Sequence, residues 1–436
     1  TLLLTLFPYP TLFRSAYVNA TPIVDWIDGL TDEARTLGNA RVALKMQIPL
    51  IDGQPTVQGA VKFAGNEVQL FKALPALQQV NGELAFSDKG MQLNKVQGNL
   101  LGGPIVLSGG TQSDGSTLVK LDGAVTADGI GRYLTAPSAK KLMRKVSGAS
   151  RYSAMLRVRN QRPEITVEST LAGMSIDLPS PLQKAASETM PLRVTLMPVG
   201  LYDQQNLNEE IRVSLGRAVN ARYLRQRPAA VRNAPWKLVR GGIGVNAPPP
   251  MLESGVSLAV SMASLNLDAW RTLANSLNEG GTSGDTGAGS GAGNDFGGYL
   301  SPDTVNLRAT QLNFADRVIE NALLGASRTK AGWQFNVQSD EAIGHATWED
   351  PLAERGAGKL TARLTLLRVA RAIPEHLFAL PHLFQTLETL NAGFARKSNH
   401  DTPAPRPVRQ ARDDAGEFDR ADLAASSAAG SARGAG

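Results

Sequence analysis

The chain has 436 residues, of which 42% are hydrophobic and 19% charged, so it can bury a core and is not disordered as a whole. It contains no cysteine, which excludes disulfides and thiolate metal sites. The 45 basic and 39 acidic residues give a formal charge of +6. The basic residues come without a recognisable nucleic-acid-binding module, so DNA and RNA are discounted as partners.

The first fifteen residues, TLLLTLFPYPTLFRS, do not read as part of a fold. They are apolar, but they lack a basic segment and are too short for a transmembrane helix, which needs about 20 apolar residues. The part from Leu6 to Ser15 resembles translated sequencing-adapter sequence. We therefore treat residues 1–15 as an artefact and expect the true N-terminus of the parent protein to be missing.

From residue 41 onward, apolar and polar residues alternate with the period of half-buried strands. Turn signals such as Asp114-Gly115 and Asp122-Gly123 separate the alternating stretches and favour hairpins over β-α-β crossovers. The sequence thus predicts a sheet with one apolar face. The candidate residues of that face are Val42, Leu44, Met46, Ile48, Val57, Val61, Phe63, Leu84 and Phe86.

Alternating stretches continue to about residue 367, and helices are few. Short helices are predicted at Ser138–Val146 and at Leu267–Leu277, the second with Asn266 or Asp268 as its N-cap. Residues 280–298 have the composition of a Gly/Ser-rich linker or loop. Residues 370–396 are predicted to form an amphipathic helix, and residues 397–436 a disordered tail.

The sequence carries no pattern of catalytic chemistry. There is no G-x-S-x-G elbow, no P-loop and no G-x-G-x-x-G after a strand. The four histidines do not stand at metal-ligand spacing, and no carboxylate pair is placed for acid–base work. We therefore expect no catalytic residue, no metal site and no cofactor.

One basic stretch is a candidate for binding lipid head groups. Residues 216–240 contain seven basic residues and no acidic one, with Arg222, Arg225 and Arg227 at their centre. Such residues can bind phosphate in lipid head groups. More often they only keep an outer strand face hydrated and block edge pairing.

Several motifs, in order along the chain, resemble one family. They include FAGNEVQL (63–70), STLAGMSIDLPSPLQKAASETMPLRV (169–194) and GWQFNVQSDEAIGHATWED (332–350). The most specific part is Leu178–Lys184, within the second of these motifs. Over roughly residues 22–367, the chain resembles the YhdP-type branch of the AsmA-like envelope proteins of Gram-negative bacteria. The resemblance implies an inner-membrane helix at the missing N-terminus and a long periplasmic β-structure that carries phospholipid toward the outer membrane.

With this resemblance, the fold is predicted to be mainly β: a long, curved, mostly antiparallel open sheet that forms an apolar groove, with a few short helices. Residues 16–279 and 299–369 would form the groove region. Near Val369 the sequence departs from the family pattern, so residues 370–436 are a terminal variant, a splice to another sequence or a frameshift.

Three functional interpretations follow. The first is a periplasmic bridge that conducts or shields phospholipid acyl chains and has outer-membrane components among its partners. The second is a structural β-module of the envelope with a closed, dry core. An envelope-polymer hydrolase ranks third, because no nucleophile or carboxylate pair supports it.

Overall fold

The computed structural model describes residues 35–47, 56–69, 74–159, 162–200, 205–231, 234–278, 299–350 and 358–368. In these residues the chain forms twenty strands and three short helices. The strands are β1 Arg35–Leu37, β2 Arg41–Gln47, β3 Thr56–Gln69, β4 Leu77–Ser87, β5 Gly90–Leu100, β6 Gly103–Thr111, β7 Thr117–Thr126, β8 Val146–Arg159, β9 Arg162–Ser169, β10 Met174–Ile176, β11 Leu192–Pro198, β12 Asn206–Leu215, β13 Val219–Pro228, β14 Lys237–Val245, β15 Gly255–Asn266, β16 Thr304–Phe314, β17 Arg317–Thr329, β18 Gly332–Gln338, β19 Ala342–Glu349 and β20 Lys359–Leu367. The helices are α1 Ala127–Tyr133, α2 Pro137–Met143 and α3 Leu267–Asn278.

All twenty strands belong to one sheet, in which most strands pair with their neighbour in sequence. Strands β2 to β9 follow one another across the sheet, β11 lies beside β9, and β11 to β20 follow in order. Nearly all of these neighbouring strands are antiparallel. The short strand β1 pairs with β3 beside β2, and the short strand β10 pairs with β8 beside β9. Among the described strands, β2 and β20 each have a partner on one side only, so the sheet is open. The predicted fold class is confirmed.

Two neighbouring pairs, β14–β15 and β15–β16, are parallel, so the hairpin pattern predicted from the turn signals stops there. Parallel neighbours need a crossover connection, because the chain must return to the end from which it started. Between β14 and β15 the connection is residues 246–254, which include Pro248, Pro249 and Pro250. Between β15 and β16 the chain passes through α3.

Two of the three helices begin at a side-chain cap, and α2 begins at a proline without one. The Thr126 hydroxyl accepts a hydrogen bond from the Gly129 amide at 3.0 Å at the start of α1, and α2 has Pro137 in its first turn. At the start of α3, the Asn266 side-chain oxygen accepts from the Ala269 amide at 2.9 Å. Asn266 rather than Asp268 is therefore the N-cap. The predicted helix Ser138–Val146 ends earlier than expected, at Met143, because β8 begins at Val146.

Several predicted segments lie outside the described residues. They are the stretch 1–15, the linker or loop 280–298, the amphipathic helix 370–396 and the tail 397–436. These assignments stay predictions.

Candidate functional site

One face of the sheet, called here the apolar face, carries rows of apolar side chains that cross the strands in register. Because directly opposed residues point to the same side of a sheet, each row can be followed from strand to strand. One row runs from β2 to β15 and consists of Val42, Val61, Leu84, Leu93, Gly109, Val119, Leu156, Ile165, Leu196, Ile211, Tyr223, Gly241 and Val256. A second row runs from β5 to β20 and consists of Val96, Leu107, Leu121, Ala154, Val167, Val194, Val213, Ala221, Ile243, Leu258, Val305, Ala326, Phe335, Ala346 and Ala362.

The opposite face, called the polar face, is different in composition. A single register row on this side consists of Ser108, Lys120, Met155, Thr166, Thr195, Arg212, Arg222, Gly242, Ser257, Thr304, Ser327, Gln334, Thr347 and Thr361. Hydroxyl, amide and charged groups dominate this row, and Met155 is its one large apolar member. The sheet is thus amphipathic from β6 to β20.

The predicted groove residues lie together at the β2 end of the apolar face. Val42, Leu44, Val57, Val61, Phe63, Leu84 and Phe86 share this side through the pairings of β2, β3 and β4. Their exposure differs: Val42 at the edge is 37% exposed, whereas Val57 is 6% exposed. The backbone of Met46 pairs with that of Val57, and Ile48 lies outside the described residues. Contact of these residues with lipid stays a prediction.

Glycines on the apolar face make room for aromatic rings. A Cβ added at Gly59 would lie 2.4 Å from Cζ of Phe86, and one added at Gly241 would lie 2.3 Å from Cδ1 of Tyr223. Both distances are far below van der Waals contact, so these rings lie flat over the neighbouring strand only because glycine is there. This pairing of an aromatic residue with an opposed glycine depends on the strand register, so alternation along a single strand does not predict it.

The apolar side chains bury one another in three clusters along the face. One is centred on β16 to β19 and contains Trp333 and Phe335, which are 2% and 1% exposed and stack at 6.2 Å between ring centroids. A second covers β3 to β8, and a small one around Ala221, Tyr223 and Val256 lies between them. A shallow cavity of about 620 Å³ spans β15 to β20, and its lining comes from residues of both faces, among them Leu307 and Leu324 of the apolar face and Asn306 and Asn336 of the polar face.

The crossover between β14 and β15 runs over the polar face. A Cβ added at Gly242 would lie 1.9 Å from the carbonyl oxygen of Pro250, and one at Gly244 would lie 2.0 Å from that of Ala247. Gly242 pairs with Arg222 and Ser257 on the polar face, and the Ser257 hydroxyl donates to the Pro250 carbonyl at 2.6 Å. The connection therefore does not cover the apolar side of these strands.

One rim of the sheet, where β7 ends and β8 begins, is lined by helices. The Lys141 ammonium donates to the Leu277 carbonyl at 2.7 Å and joins α2 to α3, and the Trp270 indole donates to the Ser180 carbonyl at 3.2 Å. The family-like motif 178–184 lies in this rim. Its Lys184 is 3% exposed and donates to the carbonyls of Met174 and Ala185 at 2.6 and 2.9 Å. Lys184 is therefore an anchor of this loop, a role that its position in the motif did not reveal.

At the opposite rim, the apolar face carries charges. Glu209 on β12 pairs with Arg225 on β13, whose Nε and Nη2 both donate to Glu209 Oε2, at 2.9 and 2.7 Å. The guanidinium carbons of Arg225 and Arg227 lie 4.7 and 4.8 Å from the centroid of the Trp236 ring. We call these four side chains the rim cluster.

The three arginines predicted as head-group ligands do not share a face. Arg225 and Arg227 are two residues apart and lie on the apolar face, whereas Arg222 lies on the polar face. There Arg222 donates to Glu210 at 2.8 and 2.6 Å, and Arg212 donates to the same carboxylate. Arg222 is thus an ion-pair partner of Glu210 on the polar face, whereas Arg225 and Arg227 belong to the rim cluster on the apolar face.

Two adjacent carboxyls have pKa shifts of opposite sign. Burial raises the pKa of Glu209, and the charges and hydrogen bond of Arg225, with help from Arg227 and Arg162, only partly offset this. Burial acts in the same direction on Glu210, but the hydrogen bonds and charges of Arg222 and Arg212 outweigh it and lower the pKa.

Elsewhere on the apolar face, burial raises the pKa of Tyr152 to about 12, and the hydroxyl of this residue has no hydrogen-bond partner in the described structure.

The family model described as YhdP protein matches residues 14–399. The chain belongs to the YhdP family. Membership of the YhdP family is consistent with a bridge-like envelope protein, as the sequence motifs suggested. The comparisons with curated proteins and with solved structures found no match.

Across the part of the chain that the structure describes, no helix is both long and apolar enough to cross a membrane. No group of three or more histidine, aspartate or glutamate side chains is placed there to hold a metal ion.

Proposed function

We propose that this YhdP-family chain is part of a periplasmic, inner-membrane-anchored bridge that shields phospholipid acyl chains as they pass between the inner and outer membranes. The role is non-catalytic and supports the lipid homeostasis of the outer membrane. The observation that carries the proposal is the continuity of the apolar face, whose second row is apolar at every position from β5 to β20.

The energetic reason is the cost of wetting an acyl chain. A chain of about sixteen carbons that leaves a bilayer loses about 0.8 kcal/mol per methylene, or roughly 12 kcal/mol in all. A surface that replaces water along the whole path removes most of this barrier. Such a surface needs apolar side chains in no particular order, which matches the mixture of Val, Leu, Ile, Ala and Phe in the second register row.

A structural module of the envelope is the second candidate, and the burial of the clusters supports it. Side chains such as Trp333 and Phe335 are already covered by their neighbours, so at those positions the face is filled by protein. In this alternative the whole apolar face serves stability. The two candidates differ in whether lipid touches the residues between and beside the clusters.

Photo-crosslinking in cells separates the two. Photoreactive residues are placed at Leu44, Phe63 or Phe86 on the apolar face of the full-length protein, and at Lys45 or Lys62 on the polar face as matched controls from the same strands. We expect phospholipid adducts at the first three positions and none at the two lysines. Equal labelling of both faces, or no labelling of either in a folded protein, would refute lipid shielding and favour the structural module.

A further inference from the structure

The rim cluster lies where the apolar face changes its chemistry within single strands. Along β13 the face presents Ala221 and Tyr223, which are buried, and then Arg225 and Arg227. Along β12 it presents Ile211 and then Glu209. Alternate residues on a strand are about 7 Å apart. Tyr223 is covered by Tyr299, whose ring centroid lies 5.2 Å away, so an amphiphile on this part of the face meets the half-buried Ile211 first and guanidinium groups within one or two such steps.

Arg225 is oriented so that part of its guanidinium group is directed away from its protein partner. Arg225 donates two hydrogen bonds to Glu209 Oε2, from Nε and Nη2, which form one edge of the group. A guanidinium has five N–H donors, and among the described residues Nη1 of Arg225 has no acceptor, so its donors are available to a ligand. The side chain is 20% exposed, so a ligand can reach it.

Trp236 fixes the planes of the two arginines. Both guanidinium carbons lie within 5 Å of the centroid of its ring, a cation–π distance that favours stacking. Stacked guanidinium groups lose little rotamer freedom when they bind an anion, because their orientation is already set. The cluster is therefore preorganised as well as charged.

From this geometry we infer that Arg225 and Arg227, held over Trp236, bind the phosphate of a lipid head group whose acyl chain lies on the neighbouring apolar residues. The inference rests on the proposed function and adds to it a place and a chemistry for the head group. Guanidinium groups match phosphate oxygens through paired, charge-assisted hydrogen bonds. Glu209 serves as the group that positions Arg225.

The test compares ligands that share an acyl chain or a phosphate but not both. Calorimetric titration of the full chain uses lauroyl-lysophosphatidylglycerol, monolaurin, which has the same acyl chain without phosphate, and glycerol 3-phosphate, which has the phosphate without the chain. The variants are Arg227→Gln and the double variant Glu209→Gln with Arg225→Gln, which removes both charges of the ion pair together. Arg222→Gln, from the same strand but the polar face, is the matched control.

We expect the wild-type chain to bind the lysophospholipid at least about tenfold more tightly than monolaurin, because tenfold corresponds to about 1.4 kcal/mol and one charge-assisted hydrogen bond contributes at least that much. Both rim-cluster variants should abolish this preference and leave monolaurin binding unchanged, and Arg222→Gln should alter neither. Amide hydrogen exchange of β12 to β14 checks that each variant is folded, and a variant that loses this protection is replaced by Arg225→Lys, which keeps the charge and loses the paired donors.

The possible failures are distinguishable. Equal affinity for the two lipids, or a preference that survives both variants, would overturn the head-group site and leave acyl-chain shielding intact. Binding of glycerol 3-phosphate as tight as that of the lysophospholipid would show a site for soluble phosphate instead. If the wild-type chain binds neither lipid, the proposed function and the head-group site both fail.

Discussion

The replacement of Gly242 by alanine tests the route of the chain between the two parallel strands. The crossover lies so close to Gly242 that a Cβ would be 1.9 Å from the Pro250 carbonyl oxygen and 2.8 Å from its carbon. Carbon–oxygen contacts in sheets are about 3.3 Å or longer, so the crossover would have to move by roughly 1.4 Å. That movement would stretch the hydrogen bond between Ser257 and Pro250, now 2.6 Å, beyond its normal range.

The expected cost has two parts. Overpacking of a well-packed contact costs about 1–3 kcal/mol, and loss of the hydrogen bond costs about 1 kcal/mol more. We therefore expect Gly242→Ala to lower the free energy of unfolding by about 2–4 kcal/mol. Gly325→Ala is the matched control, because Gly325 is also inside a strand and on the polar face, and its nearest neighbour would be Asn306 Oδ1 at 3.8 Å. We expect Gly325→Ala to raise the free energy of unfolding by about 0.5–1 kcal/mol, because alanine loses less conformational entropy on folding than glycine does.

Amide hydrogen exchange is the suitable assay, because a long sheet need not unfold in one step and exchange reports local stability. Exchange of the β14, β15 and β16 amides should accelerate in Gly242→Ala and remain unchanged or slow in Gly325→Ala. Wild-type exchange rates in Gly242→Ala would mean that the crossover does not lie on this face. In that case the crossover would be free to cover the apolar side of β14 and β15.

Three further predictions concern buried groups. Lys184→Met should lower the free energy of unfolding by about 1–3 kcal/mol in urea titrations, because two backbone carbonyls lose their donor, whereas exposed Lys140→Met should change it by less than about 0.5 kcal/mol. Burial alone would raise the pKa of Glu210, but hydrogen bonds and charges of Arg222 and Arg212 lower it overall. The contribution of the Glu210 carboxylate to folding stability is therefore complete above its ordinary pKa of 4.5 and is lost as the pH falls through the folded-state pKa. Glu210→Gln should therefore destabilise the protein at pH 6 and do so progressively less toward pH 3, and a difference in urea midpoint that does not change with pH would contradict this. Trp333→Ala should lower the free energy of unfolding by about 3–5 kcal/mol, whereas Leu364→Ala at the exposed edge should have a small effect, both measured by urea titration.

Much of the sheet could be predicted from the sequence because the side-chain period of a strand is two. Val42, Val61 and Leu84 were assigned to one face from their own alternation, and the register places them directly opposite one another. The same rule separates Arg222 from Arg225 and Arg227, since an odd spacing changes face and an even one keeps it. Charge alone groups these three arginines together, whereas their spacing separates them.

The direction of the strands could not be predicted in the same way. Alternation is identical in parallel and antiparallel strands, so it predicts that β15 and β16 are strands without giving their orientation. The signals that do bear on orientation are Gly242 and Gly244, spaced by two, followed by a run of three prolines. Glycines on one face of a strand make room for a segment that lies flat against it, and the prolines keep that segment extended.

The ion pairs of Glu209 and Glu210 depend on register as well as on face. These adjacent residues point to opposite sides of β12, and each finds its arginine only because β13 pairs at one particular offset, with Glu209 opposite Arg225. A slip of one residue would bring Glu209 to the face of Arg222. Composition identifies the basic stretch but cannot say which carboxylate meets which arginine.

The two rims of the sheet give the apolar face a direction along its strands. Helices α2 and α3 lie at one rim, where the Lys141–Leu277 hydrogen bond joins them. The other rim carries the charges of Glu209, Arg225 and Arg227. Tyr223 and Ala221 are buried, with the Tyr299 ring packed edge-on against Tyr223, whereas Ile211 and Val213 opposite them on β12 are half-buried. A phosphate bound at the charged rim would therefore place the attached acyl chain over Ile211 and Val213, pointing toward the helical rim. In the lysophospholipid complex, a photoreactive group at the end of the acyl chain should therefore label residues near the start of β13 rather than those near its end.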